Sequence, residues 1–191
     1  MKPLALAALV ASAVAAPAMA ETYTIDTRHT QVMFTYSHFG YSNITGRFDN
    51  VEGEIVYDAA DPTAASIKVT VPIATVSSGV EAMDEHFRKD DLFDATKFPT
   101  ATFQSTSVAS AGEGKLRVSG DLTIHGVTKA TDFDVTINNV GVHPNGGKPA
   151  AGFDAVGKIK RSDFGVDKYV PNIADEVTLR ITTEALAKSA D

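Results

Sequence analysis

Five histidines, His29, His38, His86, His125 and His143, are the side chains of this 191-residue sequence best suited to acid–base or metal chemistry. No two of them stand at tight metal-ligand spacing. The sequence has no H-E-x-x-H, no G-x-S-x-G and no G-x-x-x-x-G-K-[ST] loop. It has no cysteine, which removes disulfides, thiolate metal sites and cysteine nucleophiles together. His38 falls in phase with Phe34 and Tyr36 and reads as a hydrogen-bonded interior histidine rather than a metal ligand. His143 beside Pro144 reads as a loop residue, and the adjacent acids Asp90 and Asp91 read as a solvated loop pair. Asn43-Ile44-Thr45 matches a glycosylation acceptor in form only. The expectation is neither a catalytic set nor a metal site. With 24 Asp+Glu against 17 Lys+Arg, the chain also lacks the basic surface of a nucleic-acid binder.

The elements that would carry these residues alternate. Val32, Phe34, Tyr36 and His38 share one face of a strand, opposite Gln31, Met33, Thr35 and Ser37. The same period of two recurs near residues 66–73, 115–124, 132–137, 153–160 and 176–182. Two weaker strands are expected at about 44–57, with a bulge at Asp49-Asn50 where the phase changes, and at about 101–108. Ala111–Gly114 and Pro144–Gly147 read as hairpin turns. Eight half-apolar strands imply an all-β, antiparallel architecture, as a sandwich or a closed barrel. Between Ser77 and Pro99 the period turns helical. Ser78 and Glu81 form an S-x-x-E capping box, and Val80, Met83 and Phe87 share a face. Asp84 with Arg88 and Glu85 with Lys89 are the expected i,i+4 pairs. A short helix and an apolar loop, serving as a lid or a core plug, are thus inserted between the third and fourth of the eight strands.

Residues 1–20 read as a cleavable signal peptide: Lys2, an apolar run over 4–10, and Ala18 and Ala20 at the −3 and −1 positions. Cleavage is expected after Ala20. A single domain then spans 21–191, exported to a bacterial periplasm.

Ordered along the chain stand Tyr23-Thr-Ile-Asp26, His29-Thr-Gln-Val32-Met-Phe34 with His38, and Gly46-Arg-Phe48. Asp84-Glu-His86-Phe87, Asp91-Leu-Phe93-Asp94, Lys97-Phe98-Pro99 and Ala101-Thr-Phe103 follow. Gly120 to Thr128, Lys160-Arg-Ser-Asp-Phe-Gly165 and Ala174-Asp-Glu-Val177 complete the series. In order and spacing these resemble the YceI-like family of secreted bacterial lipid-binding proteins. The resemblance implies an eight-stranded antiparallel lipocalin-like barrel around a long apolar pocket for a polyisoprenoid, quinone-like or other long-chain lipid. It implies no cofactor beyond such a bound lipid, no membrane-spanning segment and compatibility with a homodimer. Met83 departs from the Arg or Asn common there in relatives and removes a cation near the lid. Ala130 and Ala174 replace a common Pro and Gly.

Strand phase and the resemblance together nominate Phe34, Tyr36, His38, Phe48, Val69, Val71, Phe87, Phe93, Phe103, Ile124, Phe133 and Phe164 as contacts for the lipid tail. His86, His38 and Tyr169 are the polar candidates for a head group, and Arg28 and Arg47 could meet a phosphate. The expected function is a periplasmic binding or carrier protein and not an enzyme. Two alternatives differ in class. An outer-membrane barrel would turn its apolar face outward, whereas Lys68, Lys115, Arg117, Asp132, Lys158, Lys160 and Arg180 fall on the expected outer faces. An enzyme would need His38 or His86 as a base, and the sequence offers no paired nucleophile.

Overall fold

Alternation of apolar and polar side chains builds ten antiparallel strands in this computed structural model, which describes residues 20–188. The leader expected over 1–20 lies, apart from Ala20, outside the described residues. The strands are β1 (Glu21–Ile25), β2 (Gln31–His38), β3 (Ser42–Phe48), β4 (Glu52–Tyr57) and β5 (Ser66–Pro72). After the inserted helix α1 (Glu81–Phe87) come β6 (Thr100–Gly112), β7 (Lys115–Ile124), β8 (Val127–Val142), β9 (Pro149–Lys160) and β10 (Glu176–Ala187).

Eight strands close a barrel. The hydrogen-bonded order is β1-β4-β5-β6-β7-β8-β9-β10, and β10 returns to β1 through Tyr23↔Ala187 and Ile25↔Ala185. The β2–β3 hairpin is the remaining pair, and it hangs on the other half of β10, with Phe34 opposite Leu179. So β10 serves two neighbours on one edge. Residues 178–182 pair with β2, and Ala185–Ala187 pair with β1. At the changeover the Thr30 and Thr183 hydroxyls meet at 2.9 Å, and the Asp26 amide donates to the Glu184 carbonyl at 2.8 Å. The outer edge of β3 is held to the segment before α1 by two hydrogen bonds, Arg47 amide to Ser77 carbonyl and the reverse.

The eight-strand barrel expected from the sequence is therefore present, with a different membership. The single strand expected over 44–57 is two strands. Asn50 takes a positive φ of 56°, a conformation Asn tolerates, and the chain turns there instead of bulging. β3 and β4 consequently join different parts of the wall. β1, absent from the eight expected strands, completes the ring.

The interior has two clusters. An upper one, walled by β2 and β3, gathers Phe34, Phe48, Phe87, Phe164 and Leu179. A lower one, walled by β1 and β4, gathers Tyr23, Ile55, Leu116, Val118 and Phe153. Polar residues of the same strands point out, where Arg117 pairs with Asp134 at 2.6 Å and Asp132 at 3.1 Å. Two inward glycines make room for rings. A Cβ on Gly46 would stand 2.3 Å from the Phe34 ring, and one on Gly120 2.5 Å from the Phe103 ring. Ala111–Gly114 and Pro144–Gly147 turn the β6–β7 and β8–β9 hairpins, as expected.

The helix starts differently from the expected capping box. Val80 holds the N-cap position and makes no side-chain cap bond. Ser78 instead turns to Asp84, whose carboxylate accepts from both its amide and its hydroxyl at 2.6 Å. Asp84 is thereby engaged away from the expected Arg88, whose guanidinium reaches the Val76 carbonyl at 3.4 Å. No helix among the described residues is long and apolar enough to cross a membrane.

Candidate functional site

The two clusters enclose two cavities stacked along the barrel. The upper one has a volume of about 270 Å³ and the lower about 150 Å³. Val32, Val71, Leu122 and Leu179 line both, forming a waist between them. Strand period positions these side chains, since inward residues recur at every second place on β2, β5, β7 and β10.

Of the residues nominated from the sequence, Phe34, Tyr36, His38, Phe48, Phe87, Phe93, Ile124, Phe164, His86 and Tyr169 line the upper cavity. Val69, Phe103 and Phe133 line the lower, and Val71 lines both. Arg28 and Arg47 line neither cavity: Arg28 pairs with Asp26 at 3.4 Å and Arg47 with Asp49 at 3.2 Å. Arg28 lies in the turn between β1 and β2 and Arg47 on β3, and both side chains are exposed.

α1 and the loop after it cover the upper cavity. Phe87 stands edge-on to Phe34, with centroids 5.7 Å apart, and Phe93 meets Phe48 at 5.7 Å. This aromatic network ties the cover to β2 and β3. Met83 lines the same cavity from the helix.

The polar residues of the cavities gather in the upper one. Arg161, which sequence reasoning passed over, is held by three backbone carbonyls. Its Nη1 donates to Val166 at 2.7 Å, its Nε to Ala174 and its Nη2 to Ile173, both at 3.0 Å. Burial lowers its pKa from the ordinary value, partly offset by Asp175, Tyr36 and Asp167, and it stays a cation. A guanidinium has five N–H donors, so two are left beyond these three bonds. Burial also raises the pKa of the Tyr36 phenol, against the pull of Arg161, so Tyr36 is a neutral donor. Lys168, also missed, binds Asp91, which accepts as well from His86 Nε2 at 3.2 Å. The Lys168 bond holds the Asp91 carboxyl below its ordinary value, with His86 adding to it against desolvation. Asp91 follows the helix and Lys168 precedes β10, so the pair latches the cover to the loop at 165–175. His86 also packs edge-on to Tyr169 at 6.2 Å.

The lower cavity is lined by aliphatic and aromatic groups, apart from the Tyr57 phenol and Thr30 and Thr183, whose hydroxyls bond one another. Outside both cavities Asp26, His29 and Glu184 bring donor atoms within 4.8 Å of one another. There the His29 ring holds Asp26, lowering its pKa to about 2, and His143 pairs with Glu184 at 3.1 Å.

The model of the YceI-like domain matches residues 23–185. A UPF0312 protein of Shewanella baltica is 38% identical over 192 residues, covering 98% of this chain and 100% of its own. The crystal structure of Burkholderia cenocepacia BcnA aligns with a TM-score of 0.77 at 28% identity, over 84% of this chain and 99% of that one. A polyisoprenoid binding domain from Saccharophagus degradans, implicated in plant cell wall breakdown, aligns with a TM-score of 0.67 at 18% identity, over 87% and 98%.

Proposed function

The chain belongs to the YceI-like family, and on that footing we propose that its two cavities together hold one long-chain isoprenoid or similar amphiphile. The protein carries this lipid in the periplasm without altering it chemically. The observation that carries this reading is the polarity gradient along the barrel. Lys168, Arg161, His38 and His86 line the upper cavity, while the lower ends in Ile55, Leu116, Val118 and Phe153. A tail lies down through the waist and the head stays at the upper end.

Burying a tail contributes roughly 0.8 kcal/mol per CH₂, less the cost of ordering it. A chain of ~15 carbons is therefore held strongly without any directional bond. The head group meets donors. The spare N–H groups of Arg161, the neutral Tyr36 phenol and Lys168 favour an acceptor-rich head, such as a carbonyl, carboxylate or phosphate. The Saccharophagus domain at 18% identity supports the fold alone, so the ligand class rests on this gradient and on the family resemblance.

The outer-membrane alternative fits less well, because the outward faces hold Arg117 with Asp132 and Asp134, and Lys158 with Glu176 at 2.8 Å. Charges of that density suit water and not hydrocarbon. Native mass spectrometry of the protein purified from its own periplasm is expected to show a co-purified lipid mass. A bare protein mass, together with no uptake of long prenyl lipids in solution, would overturn the proposal.

A further inference from the structure

Three aromatic side chains stand in water at one end of the molecule: Phe39 at 52%, Tyr41 at 95% and Tyr169 at 46% exposure. Phe39 and Tyr41 form the tip of the β2–β3 hairpin. The Phe39 amide donates to the Asn172 carbonyl at 3.1 Å, and the Ile173 amide donates to the Tyr169 carbonyl at 2.9 Å. Hairpin tip and Tyr169 loop are thus one rim. His38 and Tyr169 also line the upper cavity, so the rim borders its mouth.

The backbone of this rim is costly. Phe39 has φ 52° and Tyr169 φ 68°, a left-handed conformation that bulky side chains disfavour. The 38–41 turn, closed by the Tyr41 amide on the His38 carbonyl at 3.0 Å, has Phe39 and Gly40 at its centre, both at positive φ. Asn-Gly is the favoured pair for such a turn. Phenylalanine there strains the turn and also shows an apolar ring to water, with His38 as its edge-on ring neighbour at 4.6 Å. Strain held without a folding benefit marks functional positions.

We propose that this rim docks the mouth of the upper cavity onto a phospholipid bilayer. Phe39, Tyr41 and Tyr169 enter the interfacial layer, and a lipid tail passes between bilayer and cavity without crossing water. The proposal rests on the lipid-binding reading. Rings with a polar edge suit the membrane interface. A bilayer, unlike a protein seated on the rim, continues the apolar medium of the cavity and spares the tail the exposure that opposes transfer in proportion to its area. The chain carries a formal charge of −7, so attraction to anionic head groups is not what holds it, and added salt should leave docking in place.

The test compares the purified chain with Phe39→Asn and with Phe39→Asn/Tyr41→Ser, neither residue being a cavity residue. Flotation with phosphatidylethanolamine–phosphatidylglycerol vesicles is measured at low and high salt, without cargo. The unchanged chain should float at both. The double variant should associate about tenfold less. Its equilibrium uptake of a detergent-dispersed prenol should stay within about twofold, because the cavity is untouched. The Tm of Phe39→Asn should be level or higher, since the turn is relieved. A fluorescent prenol should move between vesicles more slowly with the double variant. Wild-type protein left behind by the vesicles, or a double variant that floats equally well, would overturn the proposal. Unchanged flotation with loss of a dimer would assign the rim to a protein contact instead. Failure of the wild type to take up prenol would count against the lipid-binding reading, and cargo-free flotation reads the rim apart from it.

Discussion

The upper and lower cavities share Val32, Val71, Leu122 and Leu179 but differ in how their walls are held. Around the lower cavity every strand is hydrogen-bonded to its neighbour, from β1–β4 round to β10–β1, with bulges in the β6–β7 and β8–β9 pairings. Around the upper cavity the circuit is completed by the two Arg47–Ser77 hydrogen bonds, by aromatic contacts from α1 and by the Asp91–Lys168 latch. A wall of ladders is rigid and suits a floor. A wall closed by side chains can be opened locally, which a site that must load and unload requires. Under the proposed function, the difference places stability below and exchange above.

A large effect on both stability and binding is expected from the loop over the upper cavity. Arg161→Ala strands three part-buried carbonyls, those of Val166, Ile173 and Ala174, and should cost about 3 kcal/mol in urea unfolding. It should also weaken binding of an acceptor-headed lipid more than that of a plain hydrocarbon. Next comes a direct contrast between the halves. Phe153→Ala in the floor should cost about 3–5 kcal/mol of stability. Phe93→Ala in the half-buried cover should cost less than that and speed lipid release. Equal losses in unfolding and release kinetics at the two sites would erase the distinction.

A narrower effect follows from filling the floor. Val69→Phe should shorten the longest prenyl chain accepted while leaving head-group preference alone, read by competition between chain lengths. Acidification separates the halves again. Asp91 is held below its ordinary 3.8, so the latch is complete above that value and is lost as the pH falls through the lower, folded value. Hydrogen exchange at residues 88–93 should rise there before exchange in β8 and β9. Asp26, held at about 2 chiefly by His29, likewise contributes fully above 3.8 and loses that contribution progressively as the pH falls through about 2. The smallest effect is expected at Arg117→Ala. Its ion pairs with Asp132 and Asp134 lie in solvent, and the midpoint of thermal unfolding should not move measurably.

How far this comparison could be read in the sequence varies by element. Strand phase alone sends Phe34 and Tyr36 to one face of β2, and that face points inward because period two leaves no other choice. The helical insertion was legible from Val80, Met83 and Phe87. The split at Asn50 was not, because a bulge and a turn produce the same phase change, and only the choice of neighbouring strand separates them. β1 is five residues long, too short for its alternation of Tyr23 and Ile25 to stand out. Arg161 follows Lys160 and reads as half of an ordinary surface pair. Its burial depends on carbonyls at 166, 173 and 174, which reach it only after the 165–175 loop has folded across the barrel. Lys168 is equally opaque, since its partner Asp91 is 77 residues away.

The double duty of β10 has a consequence for the order in which the barrel closes as it folds. This strand pairs with β9, β2 and β1, joins Tyr23 to Ala187, and supplies Leu179 to the waist. It is also the last of the ten strands in chain order. Contacts of such long sequence separation form late and slowly. A chain without β10 has neither a closed floor nor a complete upper wall. Both compartments therefore stay open until this strand has docked, and a copy without it encloses no cavity.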